Sequence, residues 1–380
     1  MKTLLAGIAL AGLISIAHAA GPAVTATADR SLWPDPIDSP AAFDRASRAE
    51  ILVFAQALSE SANQDDAALK TRLRLKEIDR TSLERVRTRM WRDIVQNYVL
   101  AAKGCKPSEP FCTGAHDRTT LQAAAQQLAS LGGKYQSWYA NAQAFHRAYC
   151  DEQLRLAALF PRSNSEIDTL DPSERRGDEL VDRTFLLTFD DGPTRAGGET
   201  ERVVAMLGQH KLSATFFVLG ENLVARVKQN PTSSPDQIYA GNCVGMHGWE
   251  HTSHARLPEW QSSVTRSMEL VQQSAPRSYV PLFRPPYGQR TTDSRQLFLR
   301  KALTVVLWNI DSQDWSNRVD TQQVGDRVMS LMLLWRHGVI LFHDIHPKAT
   351  QAVPWLLTHT QGANVQWADC HDFPAKGARQ

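Results

Sequence analysis

Two different spacings of apolar residues divide the chain. Between residues 38 and 160 they recur at helical intervals. Phe43, Ala46, Ile51, Phe54 and Leu58 follow Ser39-Pro40, an N-cap with proline at the first helical position. Val86, Met90, Ile94 and Tyr98 then step by four behind Thr81-Ser82-Leu83-Glu84, which reads as a capping box. A third helical stretch opens near Thr119, breaks at Gly132-Gly133 and resumes through Tyr135, Trp138, Tyr139 and Phe145. This spacing predicts an all-α unit of helical hairpins within residues 20–160.

Residues 161–182 turn to Ser, Asp, Glu, Arg and Pro, as in a linker. From 183 to 380 the period changes. Short β-branched and aromatic runs at 184–190, 214–220, 244–249, 282–287, 303–310, 338–345 and 364–370 alternate with helix-like stretches such as 199–211, 258–275 and 321–336. Seven strands separated by helices predict βα units and a parallel sheet, open or closed into a barrel.

The first residues differ from both halves. Lys2 precedes an apolar run from 4 to 17 that is too short to span a bilayer comfortably, and Ala17-His18-Ala19 offers small residues where signal peptidase needs them. A signal peptide over 1–19 is expected, with a mature chain starting near Ala20, exported to the periplasm or medium. No other run approaches spanning length, so the mature chain should carry no transmembrane segment.

Composition narrows the classes further. The chain has 380 residues, enough for two domains, and its 42% hydrophobic and 22% charged residues read as globular. A formal net charge of +2 supplies no field that would attract nucleic acid. The row Arg85, Arg89, Arg92 could hold an anionic polymer or simply be a solvated helix face. Export permits disulfides among Cys105, Cys112, Cys150, Cys243 and Cys370, and an odd number leaves one thiol over. Cys105 and Cys112 flank a turn-rich loop that a local bridge would close.

In parallel α/β architectures reactive residues gather at the C-terminal ends of strands, and the unusual residues of the second half fall there. The first strand ends in Asp190-Asp191-Gly192-Pro193, two carboxylates that repel unless a cation offsets them, although the same tetrapeptide is good turn chemistry. The third leads into His247-Gly248-Trp249-Glu250-His251, whose two imidazoles can converge on one cation; His254 leaves a His251/His254 pairing open. The fourth ends Arg284-Pro285-Pro286-Tyr287-Gly288, with a backbone stiffened by proline. The fifth ends Asp311-Ser312-Gln313-Asp314-Trp315 and the sixth Leu341-Phe342-His343-Asp344.

In order and spacing these five segments resemble the polysaccharide deacetylases of carbohydrate esterase family 4. The resemblance covers 184–373. Thr188 to Gly192 matches the family's Thr-Phe-Asp-Asp-Gly verbatim, and His247 to His251 its His-x-x-x-His. Arg284 to Tyr287, Asp311 to Trp315 and Leu341 to His343 supply the other three motifs. Gly248 stands where the family usually has Thr or Ser, which leaves that loop one side-chain hydroxyl short.

The resemblance implies a distorted (β/α) barrel of about seven parallel strands and a role for each motif residue. Asp191, His247 and His251 would hold one divalent metal, Zn²⁺ first, with Co²⁺ or Ni²⁺ able to occupy the same ligands. Asp190 would be the general base, oriented and kept ionised by Arg284, and the Tyr287 N–H would support the oxyanion. His343 would protonate the leaving amine, with Asp314 favouring its charged form. Trp315, Tyr287 and Leu341 would wall the acetyl group and the sugar, with Trp249 nearby in the metal-ligand loop. Asp311 and His346 carry no assigned role.

The expected activity is removal of N-acetyl groups from an N-acetylglucosamine-containing polysaccharide or oligosaccharide. An O-acetyl polysaccharide esterase is the runner-up, and a silent carbohydrate-binding relative would have lost a ligand, base or acid that this chain keeps. No nucleophile elbow, P-loop or dinucleotide fingerprint supports a serine hydrolase, kinase or dehydrogenase. Every motif lies beyond Ser173, so a chain starting there is expected to keep the chemistry, leaving the helical half for targeting, docking or assembly.

Overall fold

The computed structural model describes residues 22, 24–128, 133–160 and 168–373. The expected signal peptide lies outside them. Among the described residues, no helix is long and apolar enough to cross a membrane.

Helices α1 (Pro40–Ala62), α2 (Asp66–Leu73), α3 (Arg80–Ala102), α4 (Arg118–Gln127) and α5 (Gln136–Leu159) form the first half. The Ser39 hydroxyl caps α1 by accepting the Ala42 N–H, with Pro40 in the first turn. Helix α3 begins ahead of the expected box. Asp79 accepts the Ser82 N–H at 2.8 Å and is the N-cap, while Glu84 turns to ion pairs with Arg80 and Arg87. A carboxylate caps as well as a hydroxyl, and this one lies further out along the chain. The basic row on α3 is neutralised internally: Arg85 and Arg89 face Asp168, and Arg92 faces Asp93.

The second half runs β1 (Thr184–Asp190), α6 (Glu199–Gln209), β2 (Thr215–Val218), α7 (Gly220–Gln229), α8 (Pro235–Ile238), β3 (Cys243–Met246), α9 (Trp260–Ser274) and β4 (Tyr279–Phe283). It continues α10 (Ser294–Arg300), β5 (Thr304–Val305), β6 (Ile310–Asp311), α11 (Thr321–Trp335), β7 (Gly338–His343), α12 (Ala349–His359) and β8 (Gln366–Trp367). All pairings are parallel, in the order β5-β4-β3-β2-β1-β7-β6, with β8 on the first residues of β1. The expected fifth strand is split: β5 pairs with β4, and β6 with β7. Because these two ends of the path are consecutive in the chain, residues 306–309 join the sheet's edges into a distorted barrel. The described part of the stretch read as a linker, from residue 168, is tied in at that seam, where the Arg175 N–H donates to the Val305 carbonyl and its carbonyl accepts from the Leu307 N–H.

Alternation along β1 sorts its side chains. Phe185, Leu187 and Phe189 enter the large apolar core under the helices, whereas Leu186 joins the barrel interior with Phe217, Leu282, Val306, Val339 and Leu341. Thr188 and Asp190 therefore lie on the interior side. In register, Thr188 pairs with Leu341 and Asp190 with His343, which sets two motif residues level at the top of adjacent strands.

The two halves share that large core. It runs from Phe43 and Phe54 through Tyr149 to Met332 and Leu333. Polar groups cross the same boundary. Ser47 Oγ donates to the Leu333 carbonyl at 2.6 Å, Asn97 to that of Trp335 at 3.1 Å, and Trp335 Nε1 to the Tyr149 hydroxyl at 2.9 Å. Arg327 on α11 pairs with Glu152 on α5 at 2.6 Å, both buried. The helical half covers the barrel as an outer layer rather than standing apart on a tether.

Cys105 and Cys112 are bridged, as the loop between them suggested. A second bridge, Cys243–Cys370, ties the start of β3 to the segment after β8. Cys150 is left as a thiol on α5, buried and pushed up to about 12 by that burial.

Candidate active site

The cleft opens where the strands end. Asp190 closes β1, His343 closes β7, and loops after β3 and β4 deliver His247, His251 and Tyr287. Asp190, Asp191, His247, His251, Tyr287, Trp315, Leu341 and His343 all line one cavity of about 290 Å³. Arg284 and Asp314 stand behind it, each fixing a lining residue.

Asp191, His247 and His251 are brought together. Their ligand atoms lie within 4.8 Å of one another, and Asp191 Oδ1 is 3.4 Å from Nε2 of both imidazoles. That oxygen is buried with no hydrogen-bond partner, the state expected of a ligand atom that awaits a cation. His247 Nδ1 lies 2.7 Å from the Arg284 carbonyl, which can only accept, so the proton is on Nδ1 and the Nε2 lone pair is free. Burial holds His247 and His251 below the usual imidazole range, in the neutral form a metal needs. Donor chemistry and geometry both fit a divalent ion.

His254 does not belong to this group. It is buried beside Ser263, stacked on Phe283, and pushed down to about 4 by desolvation. Gly248 explains why the family's hydroxyl residue is absent. Its φ is 91°, and a Cβ there would come within 3.2 Å of Ser263 Oγ. Ser263, on α9, accepts the Trp249 N–H at 2.7 Å and so provides the loop with a hydroxyl from elsewhere in the chain. Trp249 itself points out of the cleft, packed on Gly220 and under Arg266.

Arg284 is fully buried and spends its donors on four acceptors. Nη1 reaches Asp190 Oδ1 and Thr188 Oγ1, both at 2.8 Å, while Nε and Nη2 reach the Val306 and Leu307 carbonyls. Burial raises Asp190 to about 6, with Arg284 opposing that rise. The carboxylate therefore stays ionised at neutral pH yet is more basic than a surface aspartate.

His343 and Asp314 form the second pair. Asp314 Oδ1 is 2.7 Å from His343 Nδ1, and Oδ2 accepts the His343 main-chain N–H at 2.9 Å. Burial pulls the imidazole down, but Asp314 outweighs it and His343 stands near 10. Tyr287, at φ 60°, sets its ring 4.4 Å from that of His251 and remains 43% exposed; Trp315 is 36% exposed. Both present flat aromatic surface to the cleft.

Asp311 also lines the cavity, its carboxylate held by the Gln313 N–H and side-chain amide at 2.8 and 2.7 Å. His346 stays outside the lining, with its ring 6.0 Å from that of His343. Sequence reasoning missed Gln289, Gln313 and Trp308, and it missed a whole wall from α5: Glu152, Gln153, Arg155 and Leu156. Nothing in the helical periodicity of α5 distinguishes those residues from an ordinary buried stripe.

Comparison with known proteins agrees with the motifs. The polysaccharide deacetylase family model matches residues 177–306. A peptidoglycan-N-acetylglucosamine deacetylase of Bacillus cereus is 30% identical over 229 residues, covering 58% of this chain and 79% of its own. The chitooligosaccharide deacetylase of a Bradyrhizobium is 30% identical over 178 residues, covering 46% and 77%. The peptidoglycan-N-acetylmuramic acid deacetylase PdaC of Bacillus subtilis is 32% identical over 193 residues. That match spans 50% of this chain and 37% of PdaC, little more than a third of the relative's length. The chain belongs to the polysaccharide deacetylase family.

Proposed function

We propose that this protein is a metal-dependent hydrolase that removes N-acetyl groups from an N-acetylglucosamine-containing polysaccharide, releasing acetate and leaving a free amine. One observation carries the reading. A carboxylate held by arginine and an imidazolium held by aspartate border the same cleft as the Asp191, His247 and His251 cluster. The relatives named above as peptidoglycan and chitooligosaccharide deacetylases support the substrate class.

A divalent cation on Asp191, His247 and His251, Zn²⁺ by preference, would supply Lewis acidity to the acetamide carbonyl and the attacking water. Asp190 takes a proton from that water as its oxygen bonds to the acetyl carbon. The Tyr287 N–H donates to the oxygen that gains charge. His343 protonates the sugar nitrogen as the C–N bond breaks, because an amide anion cannot leave unaided. Leu341 and Trp315 receive the acetyl methyl and the sugar face. Two disulfides and an N-terminal segment of signal-peptide character fit action outside the cytoplasm.

Mass spectrometry with amine labelling, on chitin oligomers, β-1,6-linked N-acetylglucosamine oligomers and peptidoglycan fragments, tests the reading. Loss of one acetyl with a new primary amine is expected. Loss of acetyl from an O-acetylated polymer with no new amine would assign the protein as an esterase instead.

A further inference from the structure

The catalytic cleft has a wall that the barrel does not provide. Helix α5 places Gln153 and Leu156, three residues apart and hence on one face, into the lining of the same cavity as the metal cluster and His343. Their neighbour Glu152 is consumed structurally, accepting from Arg327 and from the Ala26 N–H. Arg155 spends one arm on the Leu73 and Arg74 carbonyls. Gln153 is different. Only 9% of it is exposed, and its amide makes no hydrogen bond to any described residue.

Its carboxamide carries two donors and a two-fold acceptor. It borders the catalytic cavity and the adjoining one beyond Trp308, so both ends of the amide are open to whatever fills the cleft. A ligand in the cleft can reach it. The chemistry that matches a paired donor and acceptor beside an apolar Leu156 is a hydroxyl- and amide-bearing ring, as in an acetylated saccharide.

We propose that Gln153 is a specificity-determining residue, through which the helical half holds the saccharide in the deacetylase cleft by hydrogen bonds to a sugar hydroxyl or acetamido group. The proposal rests on the reading of the site as a polysaccharide deacetylase. It gives the helical half a place in substrate recognition as well as in the core. It also explains why a helix with no recognisable motif is pinned to α11 by the buried Arg327–Glu152 pair, one residue before Gln153.

The test compares wild-type full-length protein with Gln153→Met, which keeps the volume and deletes the amide, and with Gln153→Ala as a second truncation. Each is assayed on an N-acetylglucosamine tetramer and on a 4-nitrophenyl acetate reference, with metal content and thermal midpoint measured beside them. The ratio of kcat/KM for the tetramer to that for the ester should fall about three- to tenfold, the worth of one neutral hydrogen bond. The fall should lie in the KM for the tetramer, with bound metal as in the wild type. An unchanged ratio in both variants overturns the proposal, as does a fall explained entirely by lost metal. A wild-type protein that cleaves the ester and deacetylates no saccharide defeats the functional reading itself, and this inference with it.

Discussion

Each half of the molecule buries a histidine against a carboxylate, and the two pairs have nearly the same geometry. In the helical half His146 Nε2 lies 2.6 Å from Glu50; in the barrel His343 Nδ1 lies 2.7 Å from Asp314. Their surroundings differ. Glu50 also accepts from Arg30 and from Trp138 Nε1; burial pushes its pKa up, but His146, Arg30 and Trp138 together hold it below the usual carboxylate value. The remaining nitrogen of His146 is enclosed without a partner. His343 instead lines the cleft beside Asp190 and Asp191, where its proton can reach a substrate. The two pairs differ in where the second nitrogen opens: into the enclosed core for His146 and onto the cleft for His343.

Separating the halves should have the largest effect. A chain starting at Ser173 strips α1, α3 and α5 from α11, exposing Leu333 and Trp335 and leaving Arg327 without Glu152. The apolar face uncovered on α11 destabilises the barrel and favours association. The shared core therefore makes an insoluble or metal-free product the expected outcome. Size-exclusion chromatography and metal analysis check it, and a soluble, metal-loaded fragment would show that the barrel stands alone.

Next in size are the ligands. Asp191→Ala, His247→Ala and His251→Ala should each abolish bound metal and activity, whereas His254→Ala should keep the metal at some cost in stability. Elemental analysis of the four variants decides the assignment. His254→Ala losing the ion while His247→Ala retains it would reverse the site.

The two histidine pairs can then be set against each other. His343→Ala should lower kcat by about 10²–10⁴-fold while leaving the fold and the metal intact. His146→Ala should lower unfolding free energy by about 3 kcal/mol and leave kcat per folded molecule unchanged. Denaturant titration and steady-state kinetics on both variants test the distinction, and a kinetic defect in His146→Ala would break it.

The smallest effect is a shift along the pH axis. Asp314 raises His343 to about 10, so deleting its charge must lower that pKa. The alkaline limb of kcat/KM in Asp314→Asn should move to lower pH by about 1–3 units. An unmoved limb would remove from Asp314 the role of raising the His343 pKa.

The sequence by itself determined the sheet half in outline and most of the motif residues that line the cleft. Strand ends can be located because a β-branched run stops at a turn, and the motif residues are short-range: Asp190 with Asp191, His247 with His251, Asp314 with Trp315. The split of the expected fifth strand was not visible, because the break depends on which neighbour each end pairs with. Nor was the start of α3, where two residue groups compete for the same cap.

Only the tertiary structure decided which of three histidines face one point. By spacing alone either His247 or His254 could pair with His251, until Phe283 and Ser263 claim His254. It also decided that Ser263 provides a hydroxyl at Gly248, and that α5 walls the cleft. Those relations join residues far apart in sequence, from 15 positions for Gly248 and Ser263 to 190 for Gln153 and His343. Periodicity and motif spacing report on neighbours along the chain. Contacts between distant segments arise from packing one apolar face against another, and that geometry exists only once both halves are folded together.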